Sequence, residues 1–102
     1  MRKRTVIQIG DMERILFTHK RELKRKYGIK KIGIFGSCAR RENRKNSDID
    51  ILVEFEKPMG LFTFIGLERH LSGLLGAKVD LVTRKALKPH IGRRILAEII
   101  YV

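Results

Sequence analysis

The sequence is poor in cysteine and proline and has no tryptophan, with one Cys and two Pro among 102 residues. A single cysteine, Cys38, excludes an intramolecular disulfide, which fits a reducing compartment. Every apolar run is far shorter than the roughly 18–20 residues that span a bilayer, and the N-terminus lacks a signal-peptide core. These absences predict a soluble, cytoplasmic protein.

Acidic residues are also scarce: 11 Asp and Glu stand against 23 Lys and Arg, for a net charge of +12. The basic residues concentrate in Arg2–Arg4, Lys20–Lys31 and Arg40–Lys45. Such a field attracts polyanions, and ATP, RNA or an acidic protein would all qualify. The alternative for the Lys20–Lys31 cluster is that it forms the solvated face of a helix.

The length and the hydrophobic content, 43% of 102 residues, predict one domain over residues 1–102. Periodicity indicates the order helix, strand, short helix, strand, helix, strand, helix. We expect the first helix to run from Asp11, as N-cap, toward Gly28, and another to span Leu61–Leu75. The fold class is therefore α/β (α+β), a small mixed β-sheet flanked by helices.

Two segments leave their packing open. The aromatic residues near Pro58–Phe62 either enter the core or remain exposed as an edge for a partner. The apolar end of the closing amphipathic helix, Ile99–Val102, either folds back onto the sheet or buries a partner surface.

Two aspartates lie on one predicted strand, Ser47–Phe55, at alternate positions. Because successive side chains of a strand point to opposite faces, Asp48 and Asp50 point together while the isoleucines between and after them enter the core. Their repulsion, about 1 kcal/mol in water at ~4 Å and more near a protein surface, calls for a cation. Hard divalent ions such as Mg²⁺ prefer these oxygen ligands.

A third carboxylate, Asp80, interrupts the apolar strand predicted over Lys78–Thr83. If this strand neighbours the first in register, Asp80 comes within reach of the same metal. The alternative is a solvated strand residue.

Gly36 and Ser37 follow the apolar strand predicted over Lys31–Phe35. Glycine allows close backbone approach to a ligand, and Ser37 offers a hydroxyl and an N–H at the start of a helix predicted over Cys38–Arg41, where phosphate is favoured. Alone, this pair is usually a turn. Together with the carboxylates it predicts a two-metal phosphoryl-transfer site. Cys38 has no base supplied by its local sequence, so we expect a small buried thiol rather than a nucleophile.

The segments Gly36-Ser37-Cys38-Ala39-Arg40, Ser47–Phe55 and Val79-Asp80-Leu81-Val82 resemble the minimal nucleotidyltransferases, the smallest members of the DNA polymerase β-like superfamily. The resemblance runs from about Ile9 to the C-terminus. One departure is Arg41, where many relatives have glycine, and it bears on recognition of the acceptor more than on catalysis.

The resemblance implies roles for individual residues. Gly36 and Ser37 would hold the triphosphate of ATP, Asp48 and Asp50 would bind both Mg²⁺ ions, and Asp80 would bind one ion and help activate the acceptor hydroxyl. The remaining nucleotide-binding candidates, in and beside the basic stretch between cradle and metal strand, are Arg40 and Ser47.

The resemblance also implies a partner. Minimal nucleotidyltransferases often act as antitoxins beside a helical HEPN-domain ribonuclease toxin and transfer AMP from ATP to a tyrosine on it. Two other functions remain open: an antitoxin that neutralises its toxin by binding alone, and a basic nucleic-acid-binding module. Three mutually repelling carboxylates favour the enzyme, because a binder has no need of them and acids would harm a phosphate path.

Overall fold

The computed structural model describes residues 7–44 and 47–102, in which helices and strands alternate along the chain. In chain order the elements are α1 (Ile9–Tyr27), β1 (Ile29–Phe35), α2 (Gly36–Ala39), β2 (Ile49–Phe55), α3 (Leu61–Leu75), β3 (Val79–Thr83), a 3-10 turn (Arg84–Ala86), α4 (Pro89–Glu98) and β4 (Ile100–Tyr101). Within these described ranges, no helix has both the length and the apolar character needed to cross a membrane. The mixed α/β class is confirmed.

The four strands form one sheet in the order β3-β2-β1-β4. Strand β1 is antiparallel to both β2 and β4, whereas β2 and β3 are parallel. The end of β1 therefore lies at the same edge of the sheet as the starts of β2 and β3. All the predicted site residues belong to this edge.

The main core lies between one face of the sheet and the helices α1 and α3. Alternate residues of the strands supply the sheet side, and residues at helical spacing supply the other. Side chains of this core that are at most 2% exposed include Met12, Leu16, Ile32, Ile34, Ile49, Ile51, Val53, Leu67 and Leu71. The predicted burial of the β2 isoleucines is thus confirmed.

The C-terminal segment covers part of the opposite face of the sheet. Tyr101 pairs with Gly33 in the β4–β1 ladder, and the Val102 N–H donates to the Ile32 carbonyl at 3.0 Å. A Cβ added at Gly33 would lie only 2.7 Å from the Ile99 side chain, so glycine is what allows this segment to pack closely. Of the two alternatives for this apolar terminus, the structure shows that it folds back onto the sheet.

The predicted N-cap of the first helix is wrong by three residues. Helix α1 begins at Ile9, with Gln8 as the N-cap, and Asp11 lies in its first turn rather than at the cap. The reason is packing, since Ile9 is buried in the core and is included in the helix. The C-terminal end agrees with the prediction: Gly28 adopts a φ of 67° and donates its N–H to the Lys24 carbonyl.

The short helix is also displaced from its predicted position over Cys38–Arg41. It spans Gly36–Ala39, and Arg41 has a φ of 59°, which a right-handed helix cannot include. The two site strands are shorter than predicted, because β2 begins at Ile49 and β3 at Val79. The helix predicted over Leu61–Leu75 has the observed bounds of α3.

The two ends of α3 differ in burial. Leu67 and Leu71 are fully buried, whereas Leu61 and Phe62 are 69% and 90% exposed. The aromatic edge near Pro58–Phe62 is thus largely outside the core, which agrees with the second of its two predicted placements.

The contrast along α3 gives a matched pair of variants. Leu67→Ala should lower the free energy of unfolding by about 2–5 kcal/mol, because it leaves a cavity beneath the sheet. Leu61→Ala removes the same atoms from an exposed position and should change it by no more than about 0.5 kcal/mol. Urea unfolding followed by circular dichroism measures both, and equal losses would contradict the packing described here.

Candidate active site

The sheet register brings the predicted site residues to one edge. Asp50 pairs with Phe35 across the antiparallel β1–β2 ladder, and it pairs with Asp80 across the parallel β2–β3 ladder. Gly36 and Ser37 directly follow Phe35. The strand pairing expected for Asp80 is therefore confirmed, and the glycine-serine loop lies beside the same aspartate.

Asp50 is the electrostatic centre of this group. Burial raises the pKa of its carboxyl above the usual range, and the charges of Asp80 and Asp48 raise it further. The Arg40 guanidinium works in the opposite direction, while Glu98 adds to the increase. Asp50 thus lies in an excess of negative charge, which is the setting that attracts a divalent cation.

Asp48 differs from its predicted place on the strand. It lies one residue before β2, with a side chain 46% exposed and its Oδ2 4.0 Å from Lys78 Nζ. The Ile49 N–H donates to the Lys78 carbonyl at 2.9 Å and fixes the backbone beside it. Asp48 is therefore close enough to raise the pKa of Asp50 but also faces a lysine from the β3 side.

The three carboxylates do not form a closed ligand set as they stand. Among residues 7–44 and 47–102, no group of three or more His, Cys, Asp or Glu side chains is arranged to hold a metal ion. The pairing of Asp50 with Asp80 is fixed by backbone register, whereas the exposed Asp48 side chain can rotate away from Lys78. The donor chemistry suits Mg²⁺, and a change in side-chain rotamers would be needed to complete the site.

Gly36 is held in a conformation that only glycine adopts easily. Its φ is 73°, and an added Cβ would overlap the Asp50 carboxylate. The loop backbone therefore contacts the central aspartate directly. Ser37 is half-buried, and its carbonyl accepts the Glu42 N–H at 2.8 Å, which closes the turn after α2.

Glu98 is a site residue that sequence reasoning missed. Its Oε1 accepts the Gly36 N–H at 3.1 Å, and its Oε2 accepts a hydrogen bond from Arg40 Nη1 at 3.0 Å. The residue lies 62 positions from Gly36 and, by periodicity, belongs only to the polar side of the closing helix. Nothing local in the sequence indicates this contact, which depends on where α4 ends.

The other nucleotide-binding candidates have visible partners of their own. Arg40 is bound by Glu98 and also by Glu42, at 3.1 Å, so its guanidinium is held beside the loop. The Ser47 hydroxyl accepts the Arg44 N–H at 2.8 Å, as a residue in a turn does. Contact of either residue with a nucleotide stays a prediction, and Lys45 lies outside the described residues.

Comparison with known proteins decides the family. The profile of the nucleotidyltransferase domain matches residues 17–102. The chain belongs to this family. Its relatives include the protein adenylyltransferase MntA of Thermococcus cleftensis, which is 44% identical over 97 residues, with 95% of this chain and 98% of that protein covered. A candidate protein adenylyltransferase of Methanocaldococcus jannaschii is 50% identical over 95 residues, covering 92% and 97% of the two chains.

Solved structures of the nucleotidyltransferase family have the same fold. A candidate minimal nucleotidyltransferase superimposes with a TM-score of 0.75 at 33% identity, covering 94% of this chain and 97% of that one. The toxin–antitoxin complex MntA–HepT contains a chain that matches with a TM-score of 0.63 at 20% identity, covering 92% and 70%. This second likeness concerns the fold alone. The resemblance to minimal nucleotidyltransferases is confirmed.

Cys38 is a structural residue of this nucleotidyltransferase domain. Its side chain is 1% exposed, and burial, followed by the charge of Asp50, raises the pKa of the thiol. A protonated, enclosed thiol is a poor nucleophile. This agrees with the predicted small core residue.

The raised pKa of Asp50 generates a test of the site's electrostatics. Because the folded protein binds this proton more tightly than the unfolded chain does, the contribution of Asp50 to stability is present at low pH. It is lost as the pH rises through the pKa of Asp50 in the folded state. Without divalent cations, Asp50→Asn should therefore raise the Tm by a few degrees at neutral pH and flatten its pH dependence.

Thermal unfolding in EDTA across acidic to neutral pH makes this measurement. Asp11→Asn, the same change at an exposed aspartate paired with Arg14, is the matched control and should give no increase in Tm. An Asp50→Asn protein with an unchanged or lower Tm would show that the carboxylate is not repelled by its neighbours.

Proposed function

We propose that this protein transfers AMP from ATP to a tyrosine hydroxyl of a HEPN-type helical toxin and acts as its antitoxin. The observation that carries the proposal is the register of the sheet, which sets Asp50 beside both the Gly36 loop and Asp80. Nucleotidyl transfer needs the phosphate-binding loop and the metal-binding carboxylates side by side. The protein adenylyltransferase relative, similar over nearly its whole length, supports the choice of AMP and of a protein acceptor.

The partner class draws support from the solved relatives. Chains of this fold occur in toxin–antitoxin complexes, one of which contains AMP-PNP and another a tri-AMPylated HEPN toxin with its MNT antitoxin. These complexes support the fold assignment, and we extend their activity to this chain as part of the proposal. In this proposal the partner holds the acceptor tyrosine, and this chain supplies the donor site.

Two Mg²⁺ ions would be held by Asp48, Asp50 and Asp80. The ions would supply charge neutralisation for the attacking and leaving oxygens. Asp50, whose pKa is raised by the charges of Asp80 and Asp48, would together with Asp48 hold both ions. Phosphate binding and proton acceptance would be carried out by residues of the chain itself.

The loop supplies the phosphate contacts in the proposed reaction. The Gly36 N–H and the Ser37 hydroxyl and N–H donate to phosphate oxygens, with Arg40 as a cationic neighbour. The Gly36 N–H is bound to Glu98 in this structure, so a phosphate that uses the same amide takes the place of that carboxylate.

The chemical step forms one bond and breaks one. The acceptor oxygen bonds to the α-phosphorus of ATP while the bond to the bridging oxygen breaks, and pyrophosphate leaves with that electron pair. Asp80, which is exposed in β3, would accept the acceptor proton. The protein forms no covalent intermediate.

The decisive experiment measures the intact mass of a co-expressed HEPN-type protein, after incubation with this protein, Mg²⁺ and each of the four nucleoside triphosphates. Of the four nucleotides, we expect only ATP to increase the mass, by one or more AMP units. Asp48→Asn should lower the rate by on the order of 100-fold or more, because one metal ligand is lost. It should leave the fold and partner binding unchanged.

Asp11→Asn again serves as the matched control and should retain full activity. Retained transfer by Asp48→Asn would refute the metal assignment. Tight binding with an unchanged partner mass would instead favour an antitoxin that acts by binding alone.

A further inference from the structure

A cluster of cations on the second half of α1 has no role in the proposed reaction. It consists of Lys20, Arg21, Lys24 and Arg25, which are half-exposed or exposed. In the part of the chain that the structure describes, none of the four is ion-paired with an aspartate or glutamate. Such uncompensated charge is expected to act on something outside the chain.

These four cations line one shallow groove. The groove is open, has a volume of about 800 Å³, and is also lined by Phe17 and Glu56. Phe17 is 71% exposed. Because residues four apart on a helix are neighbours, Phe17 lies one turn from Arg21 on the same face.

The groove lies at the wrong end of the sheet to serve the triphosphate. Helix α1 leads through Gly28 into β1, whose first residue pairs with Phe55, whereas its last residue pairs with Asp50. The Glu56 N–H donates to the Gly28 carbonyl at 2.8 Å and closes this opposite edge. Along β2 the two edges are about 20 Å apart, at roughly 3.3 Å per residue.

A second groove continues the basic surface at this edge. It has a volume of about 880 Å³, shares Glu56 with the first, and combines the cations Lys57, Arg84 and Lys85 with a largely apolar lining. Arg84 lies 3.5 Å from Glu54, so part of its charge is compensated. Glu56 lines both grooves, which together contain seven cations against two acidic residues, Glu54 and Glu56.

We propose that this basic edge binds single-stranded nucleic acid. A strand of nucleic acid offers a phosphate at every unit for the cations on successive helical turns, and a flat base for the exposed ring of Phe17. This combination of a positive groove with an aromatic platform is how single strands are bound without sequence preference. An acidic polypeptide would satisfy the cations but has no aromatic face at each unit to cover Phe17.

Fluorescence anisotropy with a labelled single-stranded RNA of mixed sequence, across a salt series, tests the proposal. Arg21→Gln and Lys24→Gln should each weaken binding several-fold and reduce the slope of log K against log salt by about 0.7, the value for one lost contact with a single strand. Phe17→Ala should weaken binding by about tenfold while leaving the salt slope unchanged, because it removes stacking rather than charge.

Matched controls separate the groove from overall charge and from the active site. Arg93→Gln removes one exposed cation on α4, outside both grooves, and should leave the affinity nearly unchanged. Asp48→Asn should bind RNA as the wild type does, so failure of the transferase proposal would leave this one standing. Thermal unfolding of each variant shows whether the fold is retained. We expect that it is, because Phe17, Arg21, Lys24 and Arg93 are all exposed.

Three outcomes would overturn the proposal. Equal weakening by Arg93→Gln would show an unlocalised charge effect. If the protein prefers duplex RNA and Phe17→Ala does not change the affinity, the ligand is not a single strand. Binding of polyglutamate in the groove without binding of RNA would identify an acidic protein as the ligand.

Discussion

The position of β2 between an antiparallel and a parallel neighbour is the constraint on which the site depends. The antiparallel pairing with β1 brings the end of one strand, and the loop after it, to the start of the next. The parallel pairing with β3 sets the start of a third strand beside them. If β1 ran in the opposite direction, Gly36 would lie at the far edge, roughly 20 Å away. If β3 did, Asp80 would no longer pair with Asp50. Strand direction therefore does more for the chemistry than any single side chain.

Charge is distributed unevenly across the two edges of the sheet. One edge gathers Asp48, Asp50, Asp80 and Glu98 against Arg40, and the other gathers lysines and arginines from α1 and the segment after β3. Both arrangements cost stability, because like charges repel in the absence of a ligand. The apolar core between the sheet, α1 and α3 offsets this cost. This distribution is what we expect of a protein that binds cations at the acidic edge and a polyanion at the basic edge.

Local patterns in the sequence predicted which helices and strands form better than they predicted where these elements begin and end. Periodicity located α3 with its observed ends, and Gly28 marked the end of α1, since both depend on neighbouring residues alone. The start of α1 depended on tertiary burial of Ile9, and the two-residue strand β4 depended on the edge that β1 leaves free. Neither is visible in a local pattern.

The candidate site divides in the same way. Gly36, Asp50 and Asp80 follow from strand periodicity and a turn signal, and their juxtaposition required only that three neighbouring strands pair in register. Glu98 could not be predicted, because its contact joins positions 62 residues apart through the end of a helix. The exposure of Asp48 beyond β2 was missed because strand ends are set by hydrogen-bond partners such as Lys78.

The pairing of Phe35 with Asp50 has a consequence for how this protein can diverge. It closes a hairpin whose two strands, not its connection, hold the loop and the central aspartate in place. Lengthening the connection after Glu42 therefore has a small entropic cost, since closing a longer loop costs only about 0.6 kcal/mol for each doubling of its length. Relatives can acquire new surfaces beside the reacting groups by varying this one connection, with the donor site left intact.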